Sequence, residues 1–159
     1  MTTTHWQEIL VRAGRIRDIT ADRTERMSAL VDLLWTTLSP TGLSWIGFYV
    51  DCPSQDAECR LVLGPRRDKP ACSPIGLHGA CGRCLLARLP FLVRDVRELG
   101  TGYIACDPLD QSELVLPCFN LDGSVWGVLD ADSHRIGHFD LECQNNLAKV
   151  LQLSGLSCQ

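Results

Sequence analysis

Two apolar segments separated by a tight turn restrict the fold of this chain more than any other feature of its sequence. The segments span 112–120 and 125–132, and Asp122-Gly123 lies between them. Asp-Gly is a preferred pair in two-residue hairpin turns, because such turns need positive φ angles that glycine adopts without strain. The pattern therefore predicts an antiparallel hairpin.

A second hairpin is predicted nearer the N-terminus, from 44 to 63. In the strand predicted at 44–51, Trp45, Gly47 and Tyr49 fall on one face, because side chains alternate along a strand. A returning strand is predicted at 59–63, a basic loop at 64–70 and a further short strand from Phe91.

Helical patterns lie at both ends of the chain. In the segment 5–38, apolar residues recur at steps of three and four, and a first short helix is predicted to end near Gly14. Asp140 is predicted to cap a final helix at its N-terminus. The elements together predict an α+β fold, an antiparallel sheet flanked by N- and C-terminal helices.

Length and composition predict one domain over 1–159, with the helical segment at about 5–38 and the sheet, loops and final helix at about 44–154. The net charge of −4 predicts no nucleic-acid partner. No apolar run reaches the roughly 18 residues of a membrane span, and the N-terminus lacks the pattern of a secretory signal. A cytoplasmic location is the expectation.

Nine cysteines are the unusual part of the composition. An odd count without a secretory signal argues against a disulfide framework. Cys118 and Cys143 lie in apolar patterns and are predicted to be small core residues, and Cys158 is expected in a frayed tail. Four others lie in loops or at a helix start, where unpaired N–H groups would lower a thiol pKa: Cys72, Cys81, Cys84 and Cys106.

Spacing alone leaves three interpretations of these thiols open. They are inert, they carry redox chemistry, or they bind zinc together with His78. Zinc binding is disfavoured, because the chain has no second C-x-x-C motif and zinc would leave the nearby acids without a role. The prediction is no metal and no cofactor.

Three acids and two aromatic residues complete the candidate set. Asp130 and Asp132 fall on one strand face, and with Glu113 they would form an anionic pocket. Such a pocket would bind an ammonium group, or hold one carboxylic acid protonated through mutual repulsion. Trp45 and Tyr49 would line the pocket, although plain core packing is an alternative for both rings.

Several short motifs resemble those of the free methionine-(R)-sulfoxide reductases, which are single GAF-domain enzymes. The motifs are Lys69-Pro-Ala-Cys72, Gly79-Ala-Cys81-Gly, Tyr103-Ile-Ala-Cys106-Asp107, Ser112-Glu113-Leu-Val-Leu-Pro117 and Gly127-Val-Leu-Asp130-Ala-Asp132. The resemblance runs from about Trp45 to the final helix. It implies a GAF-like fold and an oxidoreductase of oxidative-stress defence.

The resemblance also implies a role for each matched residue. Cys106 matches the nucleophile that becomes a sulfenic acid, Cys72 the principal resolving cysteine and Cys81 a third cysteine that serves in relay or alternative resolution. The expected substrate-binding residues are Glu113, Asp130, Asp132, Trp45, Tyr49 and Asp107. Thioredoxin or a similar dithiol would reduce the resulting disulfide.

This chain departs from the family pattern in two segments, and one of the departures is an extra residue between Cys81 and Cys106. Between Cys72 and Cys81 it is one residue shorter and lacks the usual basic residue, and Cys84 is an additional thiol. A non-catalytic GAF module that senses a small molecule or an oxidant is the alternative function, and such a module would not need the set of three thiols and three acids. The sequence leaves open whether the protein forms a homodimer.

Overall fold

The computed structural model describes residues 3–68, 71–100 and 106–159. Within these ranges, all strand pairs of one sheet are antiparallel, and the strand order is β2-β1-β5-β4-β3. The elements in chain order are α1 (Thr3–Ile19), α2 (Arg23–Leu38), β1 (Trp45–Asp51), β2 (Leu61–Arg67), α3 (Ala80–Ala87), β3 (Phe91–Val93), β4 (Ser112–Phe119), β5 (Val125–Ser133) and α4 (Leu141–Leu153). The predicted α+β class and both predicted hairpins are confirmed.

The two faces of the sheet are buried in different ways. Ile46 and Phe48 of β1 point into a large apolar core shared with α1, α2 and α4. Trp45 and Tyr49, from the alternate positions of the same strand, join a smaller cluster with residues of α3. The strand alternation therefore directs the helical core to one face and leaves the other face for a site.

Side-chain caps define where two helices begin. The Asp22 carboxylate accepts a hydrogen bond from the Glu25 N–H at the start of α2. The Asp140 carboxylate accepts one from the Cys143 N–H at 2.8 Å, as predicted for the final helix. Each cap satisfies a backbone donor that the helix itself leaves unpaired.

Two predicted boundaries are wrong. The first helix continues past Gly14 to Ile19, because Ile16 extends the buried face formed by Trp6, Ile9 and Ala13. The strand predicted at 59–63 runs instead from Leu61 to Arg67, through part of the segment predicted to be a basic loop. Gly64-Pro65 is tolerated there because β2 is an edge strand of the sheet.

The C-terminal tail is not frayed, contrary to expectation. The Trp126 indole donates a hydrogen bond to the Leu156 carbonyl at 3.0 Å, and the Cys158 N–H donates to the Phe119 carbonyl at 3.1 Å. Leu156 itself is buried in the helical core. In the part of the chain that the structure describes, no helix combines the length and the apolar character needed to cross a membrane.

Substitution of two glycines by alanine tests two separate effects on the free energy of unfolding. At Gly127 the effect is overpacking between strands, and at Gly14 it is the backbone freedom of a helical residue. A Cβ at Gly127 would lie 2.4 Å from the Tyr49 carbonyl of the neighbouring strand, whereas a Cβ at Gly14 would have nothing within 4 Å. We expect Gly127→Ala to lower the free energy of unfolding by about 2 kcal/mol through overpacking. Gly14→Ala should raise it by roughly 0.5–1 kcal/mol, because alanine favours a helix. Urea denaturation measures both, and an unchanged midpoint for Gly127→Ala would contradict the strand geometry.

Candidate active site

The sheet face opposite the large helical core forms the floor of a cavity of about 310 Å³. Its walls come from β1, β4 and β5, from the start of α3, from the segment 71–79 and from the turn that follows Cys106. All nine residues predicted for the site lie in these walls: Trp45, Tyr49, Cys72, Cys81, Cys106, Asp107, Glu113, Asp130 and Asp132. The structure therefore brings together residues that are distant in the sequence.

Strand register explains why the acids and the aromatic residues meet. On β5, Asp132 pairs with Trp45 of β1 and with Glu113 of β4, and Asp130 pairs with Gly47 of β1. Asp130 and Asp132 share one face, since they are two residues apart. Three adjacent strands thus present their polar residues at the same end of the sheet.

Gly47 allows the two aromatic rings to occupy one side of the cavity. The Trp45 ring lies across Gly47, and a Cβ there would approach the ring to 2.5 Å. The Trp45 and Tyr49 rings are stacked, with centroids 6.1 Å apart and planes inclined by 30°. The absence of a side chain at Gly47 is therefore a packing requirement of the site.

Two carboxyl groups of the cavity are almost completely buried. Asp130 is only 6% exposed and Glu113 only 5% exposed, although both line the cavity. Burial and the neighbouring charge of Glu113 raise the pKa of Asp130 well above its ordinary range. One oxygen of Asp130, Oδ1, has no hydrogen-bond partner among the described residues. This environment favours the protonated carboxylic acid, which is one of the two expectations for the acid cluster.

Cys106 and Cys72 form a thiol pair at the cavity. Both side chains are exposed, and the Cys106 thiol lies beside Cys72. Partial burial of the thiol, the contact with Cys72 and the charge of Asp130 raise the pKa of Cys106 to about 12. The resting nucleophile candidate is therefore a neutral thiol.

Cys81 and Cys84 behave differently from the prediction for a helix start. Both are buried, and Cys81 donates a hydrogen bond from Sγ to Asp130 Oδ2 at 3.3 Å. Burial and the charges of Asp130 and Glu113 raise the pKa of Cys81 well above its ordinary range. Burial also raises the pKa of Cys84 to about 12. The predicted lowering of these pKa values is wrong, because desolvation and nearby acids outweigh the helix N-terminus.

The segment that carries Cys72 is attached to the β1–β2 hairpin. Ile75 and Leu61 exchange two backbone hydrogen bonds, and the Ser73 hydroxyl accepts one from the Leu63 N–H at 3.1 Å. The Tyr49 hydroxyl donates to the carbonyl of Cys72 itself at 2.9 Å. Tyr49 thus contacts the backbone of a cysteine in addition to forming part of the wall.

Two residues that the sequence interpretation did not select adjoin the same site. Asp110 is buried in the cavity wall, and its carboxylate accepts a hydrogen bond from the Ser44 hydroxyl at 3.2 Å. His134 Nε2 lies 3.1 Å from Asp107 and 3.6 Å from Asp110. The Asp107-x-x-Asp110 spacing next to Cys106 is a signal for this turn, but His134 becomes its neighbour only through folding.

Two groups of side chains bring potential metal ligands within 4.8 Å of one another in the described ranges. They are Cys81 with Glu113 and Asp130, and Asp107 with Asp110 and His134. The zinc set considered from the sequence is not among them, since neither group contains His78 or Cys84. His78 Nδ1 lies instead 3.5 Å from Glu58 at an exposed edge of the cavity.

The architecture of the sheet and its flanking helices is that of a GAF domain. A free methionine-R-sulfoxide reductase of Saccharomyces cerevisiae is 37% identical over 117 residues, which cover 73% of this chain and 63% of the relative. Protein YtsP of Bacillus subtilis is 35% identical over 131 residues, covering 79% of this chain and 76% of the relative.

A solved structure points to the same group of proteins. It is a free methionine-R-sulfoxide reductase from Neisseria meningitidis in complex with its substrate, 27% identical, with a TM-score of 0.78 over 98% of this chain and 94% of that one. No family model matches the sequence. The chain belongs to the family of GAF-domain proteins that includes the free methionine-R-sulfoxide reductases. It spans slightly less than two thirds of the length of the yeast relative.

The raised pKa of Asp130 makes a prediction about stability. A carboxyl whose pKa is higher in the folded state contributes stability that is lost as the pH rises from the unfolded pKa towards the folded one. Asparagine does not ionise, so the stability of Asp130→Asn relative to wild type should increase between about pH 4 and pH 8. Urea denaturation across this range measures the difference.

Asp122→Asn at the exposed β4–β5 turn is the matched control. Hydrogen bonds from Ser124 lower the pKa of Asp122, so the sign is opposite. The stability of this variant relative to wild type should decrease only as the pH rises towards the unfolded pKa of about 4, and it should stay level from about pH 4 to pH 8. A pH-independent difference for Asp130→Asn would show that its carboxyl has an ordinary pKa.

Proposed function

We propose that this protein reduces free L-methionine-(R)-sulfoxide to methionine through a cysteine sulfenic acid and a disulfide. The observation that carries the proposal is the shared cavity, where the exposed Cys106 thiol lies beside Cys72 and the buried acids form part of the wall. The names of its relatives favour the same activity.

The cavity suits a single amino acid. Its volume of about 310 Å³ lies at the small end of the roughly 300–1,000 Å³ that is usual for ligand sites. The half-buried Asp132 and the buried acids beside it offer charge and hydrogen bonds to a free ammonium group, which methionine within a peptide chain lacks. The stacked rings of Trp45 and Tyr49 offer an apolar wall to the S-methyl group.

The first chemical step transfers oxygen from the sulfoxide to Cys106. The Cys106 sulfur attacks the sulfoxide sulfur and forms a sulfur–sulfur bond to the substrate. The protonated oxygen then moves from the substrate sulfur to the Cys106 sulfur, the sulfur–sulfur bond breaks, and methionine leaves with the electron pair of that bond. Cys106 keeps the oxygen as a sulfenic acid, so the thiol is oxidised by two electrons and the sulfoxide is reduced by two. The proton lost from the thiol balances the one gained by the oxygen, and a protonated Asp130 can assist that transfer as a general acid.

The second step is the formation of a disulfide. The Cys72 thiol attacks the sulfenic sulfur, the disulfide between Cys72 and Cys106 forms, and water leaves with the oxygen. Thioredoxin or a similar dithiol then reduces the disulfide by exchange, which the exposure of both cysteines allows. Recycling of this kind needs a reducing compartment, and we place the protein in the cytoplasm.

The decisive experiment supplies racemic free methionine sulfoxide and a dithiol reductant, and follows each epimer by chiral chromatography. We expect the (R) epimer to be consumed and the (S) epimer to remain. Cys106→Ser should abolish turnover, whereas Cys158→Ser, an exposed cysteine outside the cavity, should not. Binding without turnover by the wild-type protein would support the sensor alternative instead.

Tyr49→Phe tests the second step separately. The ring remains, but the hydrogen bond to the Cys72 carbonyl is lost. We expect disulfide formation to slow by about fivefold, since a hydrogen bond of this kind contributes roughly 1 kcal/mol. In a single turnover, dimedone labelling and mass spectrometry should show accumulation of Cys106 sulfenic acid.

Ser73→Ala is the control for Tyr49→Phe. It removes another attachment of the same segment, the bond from the Leu63 N–H, without affecting the Cys72 carbonyl. Its sulfenic acid should resolve faster than that of Tyr49→Phe. Equal lifetimes in wild type and Tyr49→Phe would mean that the hydroxyl does not position Cys72.

A further inference from the structure

The hydrogen bond between Cys81 and Asp130 assigns Cys81 a role other than electron transfer. We propose that Cys81 is a positioning residue, whose S–H group holds the Asp130 carboxyl in the orientation that receives the substrate. The inference rests on the proposed function, in which Asp130 is one of the substrate-binding acids.

The contact lies in a dry part of the cavity wall. Cys81 is 4% exposed and Asp130 is 6% exposed, and the sulfur-to-oxygen distance is 3.3 Å. A thiol is a weak donor in water, but a hydrogen bond gains strength where the local dielectric is low. Oδ1 of Asp130 has no hydrogen-bond partner in the part of the chain that the structure describes. Loss of the thiol would remove the hydrogen bond that Oδ2 accepts from Cys81. The carboxyl would then turn towards other donors or water.

The backbone around Cys81 leaves little room for the thiol to move elsewhere. Cys81 is the second residue of α3, which packs against β4 and β5. The next residue, Gly82, lies so close to Leu77 that a Cβ would be 2.2 Å from the Leu77 carbonyl oxygen. The start of α3 is therefore packed between the sheet and the segment 71–79 that carries Cys72. This placement directs the Cys81 side chain at Asp130.

The same environment makes Cys81 a poor resolving thiol. Thiol–disulfide exchange proceeds through a thiolate, and burial together with Asp130 and Glu113 raises the pKa of Cys81 well above its ordinary range. Cys106 and Cys72, in contrast, are both exposed and lie beside each other in the cavity wall. The geometry thus separates two tasks, with disulfide chemistry at Cys72 and Cys106 and carboxyl positioning at Cys81.

The hydrogen bond from Cys81 also affects the pKa of Asp130. Burial, Glu113 on β4 and Asp110 in the neighbouring turn raise the pKa of this carboxyl, whereas the Cys81 hydrogen bond lowers it. Tyr49 on β1, Cys84 on α3 and Cys106 also face it, and the charge of Asp130 raises the pKa of all three. Removal of the donor should therefore make Asp130 harder to ionise.

Cys81→Ser and Cys81→Ala distinguish positioning from redox chemistry. Serine keeps a hydroxyl donor but cannot form a disulfide, whereas alanine keeps neither property. We expect Cys81→Ala to raise the KM for the free (R)-sulfoxide by about tenfold, the effect of one lost hydrogen bond to a charged or buried group. Cys81→Ser should recover most of that loss, with a KM within about threefold of wild type.

Two further readouts accompany the KM values. In Cys81→Ala, the alkaline limb of the pH profile of kcat/KM should move to higher pH, because loss of the donor raises the pKa of Asp130, the proposed general acid. Peptide mapping after a single turnover should find the Cys72–Cys106 disulfide in wild type and both variants. Should alanine prevent folding, Cys81→Val provides a second variant without a donor.

Two outcomes would overturn the inference. Equal impairment of the serine and alanine variants, with a disulfide to Cys81 in wild type, would make Cys81 a redox thiol. An unchanged KM and pH profile in Cys81→Ala would mean that the hydrogen bond has no role. If the wild-type protein does not reduce the sulfoxide, the proposed function fails. The inference can then still be tested by calorimetric binding of free methionine sulfoxide, with wild type expected to bind most tightly, Cys81→Ser less tightly and Cys81→Ala least tightly.

Discussion

The site depends on the burial of several carboxyl groups against one sheet face. Water would normally solvate these groups and keep them ionised, and their mutual repulsion would then separate them. Here the pairing of β1, β5 and β4 fixes Asp130 beside Glu113 and Asp132, because backbone hydrogen bonds determine the register. The sheet therefore holds together groups that would separate on flexible loops, and the raised pKa of Asp130 is the electrostatic result.

The residues of the site lie partly on rigid strands and partly in exposed connecting segments, and this division suits the proposed thiol chemistry. The acids and aromatic rings lie on strands, where packing holds their positions, whereas Cys72 and Cys106 lie in connecting segments with exposed side chains. A cysteine that must meet a substrate, a second thiol and an external reductant in turn needs this access. Cys81, buried at the start of α3, lacks the access but has a fixed direction, which suits the positioning of a carboxyl.

Much of the fold could be predicted from local patterns. The β4–β5 hairpin follows from Asp122-Gly123, and the start of α4 follows from the capping side chain of Asp140. The errors occurred where tertiary contacts override a local signal. Gly14 does not end α1, because the buried face continues to Ile16, and Pro65 does not end β2, because an edge strand tolerates a missing donor.

The alternation of β1 and the pair Asp130 and Asp132 already indicated which residues share a face, because strand geometry is local. Contacts between residues of different elements could not be predicted from these local patterns. That Cys81 contacts Asp130, that Tyr49 reaches the Cys72 carbonyl and that His134 lies beside Asp107 depends on how α3, the strands and the loops pack. The pKa of Cys81 shows the consequence most clearly: its position at a helix start predicted a lowered value, and only the packing of the chain revealed the desolvation and neighbouring acids that raise it.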